Sequence, residues 1–77
     1  MEDVTQNLTE RELEVLYILK QGNTNPEIAK ILNISIHTAK AHVLSIITKL
    51  KARNRTHAAV MGVKLLENYK PSENIKS

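Results

Sequence analysis

Apolar residues recur every three or four positions along most of the chain, and turn or capping residues interrupt this pattern between successive segments. Such spacing is typical of amphipathic helices and differs from the strict alternation of a half-buried strand. Thr9-Glu10-Arg11-Glu12 and Thr24-Asn25-Pro26-Glu27 are capping boxes, which predict two helix starts. Ser35 and Thr56 are predicted to cap two further helices. The pattern therefore predicts an all-α fold: a compact four-helix domain with a central helix-turn-helix.

The same pattern predicts where the helices end and where the domain begins and ends. The predicted helix ends are, in chain order, near Gly22, near Leu32, at Leu50 or Lys51, and near Tyr69. Residues 1–7 are predicted to be a flexible polar leader, residues 8–69 the folded domain, and residues 70–77 a flexible tail.

The third predicted helix, about residues 36–51, has three faces when its residues are placed at about 100° per step. The predicted core face holds Ile36, Ala39, Val43, Ile46, Ile47 and Leu50. The opposite, outward face holds His37, Lys40, Ala41, Leu44, Thr48 and Lys51. A polar flank beside it holds Thr38, His42, Ser45 and Lys49. A helix that reads the major groove of DNA needs such a division, with base contacts outward and phosphate contacts on a flank.

The charge distribution strengthens this interpretation. The net charge is only +3, but residues 28–66 contain seven Lys or Arg, all three His and no Asp or Glu. Residues 1–27 contain six acidic and two basic residues. An ordinary solvated surface mixes both signs, whereas a surface that approaches phosphates excludes acids. Double-stranded DNA is therefore the predicted partner.

Composition excludes several other classes of protein. The chain has no Cys, Trp or Phe, which excludes a disulfide framework and disfavours a single-strand surface of stacked aromatics. No run of 18 apolar residues is present, so no membrane partner is expected. The acidic start Met1-Glu2-Asp3-Val4 lacks the apolar region of a signal peptide, and a cytoplasmic location is expected. His37 and His42 lie about 140° apart on one helix, so no metal site is predicted. No serine or threonine has a nearby acid–base pair, so neither catalysis nor a cofactor is predicted.

Many residues at fixed offsets make the chain resemble the LuxR-type (GerE-type) helix-turn-helix domain over roughly residues 8–66. The resemblance rests on Leu8-Thr9-Glu10-Arg11-Glu12, Val15-Leu16, Leu19, Gly22, Asn25, Glu27-Ile28-Ala29, Leu32, Ile34-Ser35, Thr38, Lys40, His42, Ile46, Lys49-Leu50, Arg55-Thr56 and Ala58. It implies base contacts at His37, Lys40, Ala41 and Leu44. It implies DNA-backbone contacts at Thr24, Asn25, Thr38, Lys49, Arg55 and Thr56, to which the polar flank adds His42 and Ser45.

The last predicted helix has apolar residues on two sides. Ala59, Gly62, Val63 and Leu66 are predicted to face the core, and His57, Val60, Met61 and Lys64 to face outward. The family resemblance implies that Val60, Met61 and Lys64 form a homodimer interface, which is expected to be weak without DNA. Relatives usually have Ala, not Gly, at position 62, so Gly62 weakens this helix by about 1 kcal/mol unless it permits close helix approach.

Glu12 falls on the predicted core face of the first helix and therefore needs a partner. Its own capping box and a nearby arginine, Arg55, are the predicted partners. Leu13 and Tyr17 lie opposite that core face and are either scattered surface residues or a docking patch.

The chain is therefore predicted to be a sequence-specific DNA-binding domain of a bacterial transcription regulator, associated with the nucleoid and not an enzyme. RNA polymerase is a further candidate partner. Two alternatives remain open. One is a promoter-binding module like sigma-factor region 4, which usually ends near its recognition helix. The other is a helical protein-interaction module that uses Leu13, Tyr17, Val60 and Met61 and binds no DNA.

Overall fold

The computed structural model of the chain describes residues 7–71, and in that range it contains four helices and no strand. The helices are α1 (Glu10–Leu19), α2 (Asn25–Leu32), α3 (Ile36–Leu50) and α4 (Arg55–Leu65). The all-α fold is thus confirmed, with a helix-turn-helix formed by α2, the turn at residues 33–35 and α3. Within residues 7–71, none of the helices is long and apolar enough to cross a membrane. Residues 1–6 of the predicted leader and 72–77 of the predicted tail lie outside the described residues.

The first three helices begin where the sequence predicts. The Thr9 hydroxyl accepts a hydrogen bond from the Glu12 N–H at 3.1 Å, and the Glu12 carboxylate accepts one from the Thr9 N–H at 2.9 Å. Thr24 and Glu27 form the same box at 3.3 and 2.7 Å. Ser35 caps α3 by accepting from the N–H three residues on, at 3.0 Å. Each cap satisfies N–H groups that have no partner within the helix.

Both predicted ends of α4 were wrong. Its N-cap is Asn54, whose side chain accepts from the His57 N–H at 2.8 Å, and not Thr56. Asn is at least as good a cap as Thr, and the His57 ring adds to this start by accepting from the Arg53 N–H at 3.0 Å. The helix ends at Leu65 rather than near Tyr69, because the chain turns there and brings the Tyr69 ring to 5.8 Å from that of Tyr17.

The helices α2 and α3 end in the same way. Asn33 and Lys51 adopt left-handed backbone conformations, with φ of 55° and 56°. In each case the next residue donates its N–H to a carbonyl five positions back, at 2.9 Å after Asn33 and 3.0 Å after Lys51. These bonds satisfy carbonyls at the helix end and turn the chain sharply. Gly22, predicted as the stop signal after α1, has a φ of 93°.

The core is built around α1, which packs against all three other helices. The buried apolar residues of this core are Leu8, Val15, Leu16, Ile18, Leu19, Ile28, Ala29, Leu32, Ala39, Val43, Ile46, Leu50, Ala58 and Leu66. The core face predicted for α3 is confirmed except at its start, where Ile36 is 55% exposed. Ile36 is the first residue of α3, and its position lies past the edge of the core, whose first member on α3 is Ala39.

Gly62 explains how α4 reaches α1. A Cβ atom placed on Gly62 would lie 2.9 Å from Cδ1 and 3.1 Å from Cγ of Leu16, which is fully buried. These distances are shorter than ordinary van der Waals contact, so only glycine permits this approach of the two helices. The close packing of α4 on α1 therefore requires glycine at this position, despite its low helix propensity.

Candidate nucleic-acid interface

The outward face of α3 is open to solvent at every position that the sequence assigned to base contacts. The side chains of His37, Lys40, Ala41 and Leu44 are all exposed. The opposite side of the helix is buried at Ala39, Val43, Ile46 and Leu50. Because one side of α3 is packed in the core, the helix cannot rotate about its axis, and its outward face has a fixed orientation.

Among the hydroxyl groups of α3, that of Thr48 has given its proton to a backbone carbonyl, whereas that of Thr38 accepts a hydrogen bond and can still donate one. Thr48 donates its hydroxyl to the carbonyl of Leu44 at 3.0 Å. Thr38 accepts a hydrogen bond from the hydroxyl of Ser35 at 2.9 Å, next to the N-cap bond. The exposed donors of the outward face are therefore the cationic or ring N–H groups of His37, Lys40 and Lys51, and no serine or threonine.

Ser45 and Lys49, on the polar flank of α3, both bind the carboxylate of Glu12 on α1. The Ser45 hydroxyl donates to Glu12 Oε2 at 2.6 Å, and the Lys49 ammonium donates to Oε1 at 2.7 Å. Glu12 is buried, and 35% of the Lys49 side chain remains exposed. Together with the capping bond to Thr9, these contacts occupy both carboxylate oxygens and join α3 to the start of α1.

Burial alone would raise the pKa of the Glu12 carboxyl. Hydrogen bonds from Lys49, Ser45 and the Thr9 N–H, together with the positive charge of Lys49, outweigh burial and lower this pKa from 4.5 to about 2. Glu12 is therefore ionised at neutral pH, and its charge is balanced by Lys49. Glu12 therefore adds no unpaired negative charge beside α3, which itself contains no acid.

The predicted pairing of Glu12 with Arg55 was wrong. The Arg55 guanidinium instead donates to the side-chain oxygen of Asn25 and, at 2.6 Å, to the carbonyl of Asn23. The N-terminus of α4 places Arg55 over the loop between α1 and α2, so its fork of donors meets that loop and not Glu12. Arg55 thereby ties α4 to the start of the helix-turn-helix.

The predicted DNA-backbone residues fall into two groups. On the flank of α3 lie Thr38, which is exposed, and the half-buried His42, Ser45 and Lys49. The second group, Thr24, Asn25, Arg55 and Thr56, meets where the starts of α2 and α4 come together, as the bond between Arg55 and Asn25 shows. A pocket of about 230 Å³ lies beside this second group, lined by Leu19, Gly22, Asn23, Arg55, Thr56 and Ala59.

Asn23 and the contact of Ser45 with Glu12 were missed by reasoning from sequence. The Asn23 side chain donates to the carbonyl of Ile18 at 2.8 Å, at the C-terminal end of α1, and its own carbonyl holds Arg55. An Asn directly after the stop signal Gly22 was the available clue, since Asn commonly bonds nearby backbone groups in turns. For Ser45, no local pattern indicated a partner 33 residues away.

The exposed face of α4 differs from the predicted one. Val63, predicted in the core, is 54% exposed, and Val60 is 63% exposed, as predicted. Met61, predicted outward, is half-buried and packs against the core, whereas Ala58 is fully buried. The contact of Gly62 with Leu16 sets the rotation of α4. The outward apolar surface of α4 consequently consists of Val60 and Val63, with the exposed Lys64 beside them.

Leu13 and Tyr17 do not form an open docking patch. Both are half-buried and pack against the core cluster. The Tyr17 ring contacts the ring of Tyr69, and the ammonium of Lys20 lies 5.0 Å from its centroid. The Tyr69 hydroxyl is buried without a hydrogen-bond partner among the described residues. Its pKa is raised by burial and by the negative charges of Glu10 and Glu14.

Comparison with known proteins gives a family match and several curated relatives. The family model described as bacterial regulatory proteins, luxR family, matches residues 6–62. The nitrate/nitrite response regulator protein NarP of Escherichia coli strain K12 is 47% identical over 60 residues, which are 78% of this chain and 28% of that protein. The transcriptional regulatory protein LiaR of Bacillus subtilis strain 168 is 47% identical over 55 residues, 71% of this chain and 26% of LiaR.

The response regulator protein VraR of Staphylococcus aureus is 41% identical over 58 residues, which are 75% of this chain and 28% of VraR. The chain therefore spans only about a quarter of the length of these relatives. All three similarities fall on a segment the size of the four-helix domain described above.

Proposed function

Because the chain belongs to the LuxR family of bacterial regulatory proteins, we propose that its α3 is a recognition helix that enters the major groove of double-stranded DNA. The coarse function carries over from the family and its named relatives: this is a DNA-binding helix-turn-helix domain of a transcription regulator. The proposal concerns how the domain docks, which side chains contact bases or phosphates, and how two copies bind together.

The single observation that supports this docking most strongly is the make-up of α3 and its surroundings. Its outward face carries exposed donors and cations, its inner face is fully packed, and residues 28–66 contain no acid. Base contacts are assigned to His37, Lys40, Ala41 and Leu44. A groove-reading helix with this division combines sequence readout at its outward face with phosphate contacts around it.

Backbone contacts are assigned to Thr24, Asn25, Thr38, His42, Ser45, Lys49, Arg55 and Thr56. Lys49 and Ser45 also hold Glu12, so they position α3 as well as facing the DNA. An ammonium has three N–H donors, and Lys49 gives one to Glu12 and remains 35% exposed. The Lys49 ammonium is therefore assigned to bind the Glu12 carboxylate and a DNA phosphate at the same time.

A homodimer through α4 is the second part of the proposal. The proposed dimer surface consists of Val60, Val63 and Lys64, and Met61 lies half-buried at its edge. Such a small patch gives a weak dimer by itself, and two half-sites on one DNA supply the missing affinity through effective concentration. Two recognition helices related by a two-fold axis are expected to favour half-sites about one helical turn apart, ~10 base pairs centre to centre.

For the whole protein, we propose the DNA-binding part of a response regulator, since NarP and VraR are named as such. Its place of action is then the bacterial cytoplasm at the nucleoid, and RNA polymerase is a candidate partner. Two alternatives are less well supported. A sigma-factor region 4 usually lacks a helix such as α4, and a protein-interaction module needs Leu13 and Tyr17 free, whereas both pack on the core.

The decisive experiment for groove reading compares Lys40→Ala with Lys70→Ala. Both variants remove one positive charge, and Lys70 lies beyond α4, outside the assigned contacts. Lys40→Ala is expected to weaken binding to a selected duplex by about 1–3 kcal/mol and to weaken random duplex less. Lys70→Ala should not weaken binding to either the selected or the random duplex by a comparable amount. Fluorescence anisotropy measures both, and an equal loss on both duplexes for Lys40→Ala would make Lys40 a phosphate contact.

The role of Lys49 is tested by salt dependence. If Lys49 contacts a phosphate, Lys49→Ala flattens the slope of log K against log salt by about 0.9. Glu12→Gln keeps the Lys49 charge and weakens the contacts of Lys49 and Ser45 with α1, so it should leave that slope unchanged. An unchanged slope in Lys49→Ala, with reduced affinity in both variants, would mean that Lys49 only positions α3.

The dimer is tested by Val60→Glu, which puts a charge on the most exposed large apolar residue of α4. The variant should fold normally and bind a single half-site as the wild type does. It should lose cooperative binding to two half-sites, as measured by sedimentation with and without DNA. Val60→Thr, which keeps the shape and adds no charge, serves as the matched control. Full two-protomer occupancy by a folded Val60→Glu variant would place the dimer on another surface.

A further inference from the structure

We infer that the middle of the outward face of α3 recognises thymine by its 5-methyl group, with Leu44 as the residue that determines this specificity. The inference rests on the proposed function, that is, on α3 lying in the major groove. It goes further by naming the class of operator: one with thymine opposite Leu44, close to a base that offers acceptors to Lys40.

The position of Leu44 distinguishes it from a scattered surface residue. Two large apolar side chains of α3, Ile36 and Leu44, are each 55% exposed. Ile36 lies at the edge, about 90° from the middle of the outward face, whereas Leu44 lies about 10° from its middle. Leu44 follows Ala41 by three residues and precedes Thr48 by four, so these three side chains form one row along the helix.

This row offers no hydrogen-bond donor to a base. Ala41 and Leu44 have no polar atom in their side chains, and the Thr48 hydroxyl gives its proton to the Leu44 carbonyl at 3.0 Å. Thr48 is therefore left with a methyl group and acceptor lone pairs. Between the cations of Lys40 and Lys51, the outward face thus presents an apolar strip, which we define as Ala41, Leu44 and Thr48.

The major groove offers few apolar partners for such a strip. Among its features are acceptors on guanine and adenine, amino donors on cytosine and adenine, and the 5-methyl group of thymine. A leucine against a polar base edge removes water from that edge without replacing its hydrogen bonds, which is unfavourable. A leucine against the thymine methyl buries apolar surface on both sides. The apolar strip therefore selects thymine by attraction and disfavours the other edges by desolvation.

Lys40 determines which base is favoured near this thymine in the DNA half-site. It lies four residues before Leu44, about 6 Å along the helix, which is about two base steps when α3 follows the groove. Its ammonium donates to acceptors, and guanine O6 and N7 are the most common ones for a lysine in the major groove. The expected half-site therefore has a guanine and a thymine within about two base pairs of each other.

The test uses the 77-residue chain and a duplex selected by it from a random-sequence library. Each thymine of that duplex is then replaced in turn by deoxyuridine, which lacks the 5-methyl group and pairs normally. For the wild type, one replacement in each half-site should weaken binding about fourfold, the effect of one buried methyl or methylene group. For Leu44→Ala, the duplex with thymine and the duplex with deoxyuridine should be bound equally.

Ile36→Ala is the matched control, because it removes an equally exposed apolar side chain from the edge of the same helix. It should keep the full penalty for deoxyuridine. Equal binding of every deoxyuridine duplex by the wild type would overturn the inference while leaving groove reading intact, and so would an undiminished penalty in Leu44→Ala. A chain that enriches no sequence and binds no duplex would instead overturn the proposed function itself.

Discussion

The helices α3 and α4 both pack on α1, but the two contacts are of different kinds. On the flank of α3, Ser45 and Lys49 hold the ionised Glu12 at 2.6 and 2.7 Å. At the other contact, Gly62 brings the backbone of α4 directly against the buried Leu16. One contact is made of directional hydrogen bonds and opposite charges, and the other of close apolar packing.

This difference matches what each helix presents to solvent. Hydrogen bonds to both oxygens of one carboxylate restrain how α3 is rotated about its axis, because two side chains one turn apart must point at the same group. Steric contact at Gly62 sets which side of α4 faces α1 and how near the two helices come, but it involves no directional bond. A helix that reads base edges needs a fixed rotation, whereas a flat apolar surface such as Val60 and Val63 tolerates small shifts.

Among the substitutions considered, removal of the Glu12 carboxylate should destabilise the fold most. Glu12→Ala should lower the free energy of unfolding by roughly 2–4 kcal/mol, because it takes away the capping bond and leaves Lys49 and Ser45 without their partner. Urea denaturation measures the change. Glu27→Ala is the matched control, since Glu27 occupies the same position in the exposed capping box of α2, where its carboxylate accepts from the Thr24 N–H. A similar loss in both variants would contradict the role of the contact with α3.

The pH dependence of stability should distinguish the Glu12 contact between α1 and α3 from the Gly62 contact between α1 and α4. Because the pKa of Glu12 falls from 4.5 to about 2 on folding, its charged form stabilises the folded state fully above 4.5. This stabilisation is lost as pH falls from 4.5 towards 2. The stability difference between the wild type and Glu12→Gln should therefore shrink over that range. The difference between the wild type and Gly62→Ala, which involves no titrating group, should not shrink in this way.

Gly62→Ala should destabilise the domain by about 1–2 kcal/mol, although alanine is the better helix former. The added Cβ would lie 2.9 Å from Leu16 Cδ1, so α4 must move away from α1 or Leu16 must leave its rotamer. Thermal unfolding followed by circular dichroism measures the effect. Val63→Ala, at an exposed position of the same helix, should be neutral or slightly stabilising. A stabilised Gly62→Ala variant would show that the two helices are not in close contact there.

A smaller change in stability is expected at the C-terminal end of α3. Lys51 has a φ of 56°, which a side chain disfavours, so Lys51→Gly should stabilise the fold by about 0.5–1 kcal/mol. Asn33→Gly at the end of α2, with a φ of 55°, should gain less because Asn tolerates this conformation. Equal gains at both sites would mean that residue type at these ends contributes little. Both changes are measured by urea denaturation.

The faces of α3 could be predicted from sequence, and those of α4 could not, for a physical reason. In α3 the apolar residues are confined to one side, and only Ile36 at its end was misplaced. In α4 apolar residues lie on every side, so no angular pattern indicates which face is buried. The rotation is decided by Gly62, which has no side chain and whose importance depends on Leu16 of another helix.

Partners distant in the chain were equally hard to predict. The sequence indicates that Glu12 is buried and needs a partner, and Arg55 was the cation predicted for it, although Lys49 carries the same charge. The packing of α3 beside α1 selects Lys49, while the start of α4 directs Arg55 to Asn23 and Asn25. The start of α4 was mispredicted for a similar reason, because Asn54 and Thr56 are both good capping residues and the path of the backbone selects Asn54.

The contacting rings of Tyr17 and Tyr69, whose planes are tilted by 56°, also make the molecule a reporter of its own state. The chain has no Trp or Phe, so these two side chains are its whole aromatic content. Their centroids are 5.8 Å apart, one on α1 and the other on the segment that follows α4. The near-ultraviolet circular dichroism and tyrosine emission therefore come from a single place. Detachment of the segment after α4 would be visible optically, without a label, while the helical signal remained.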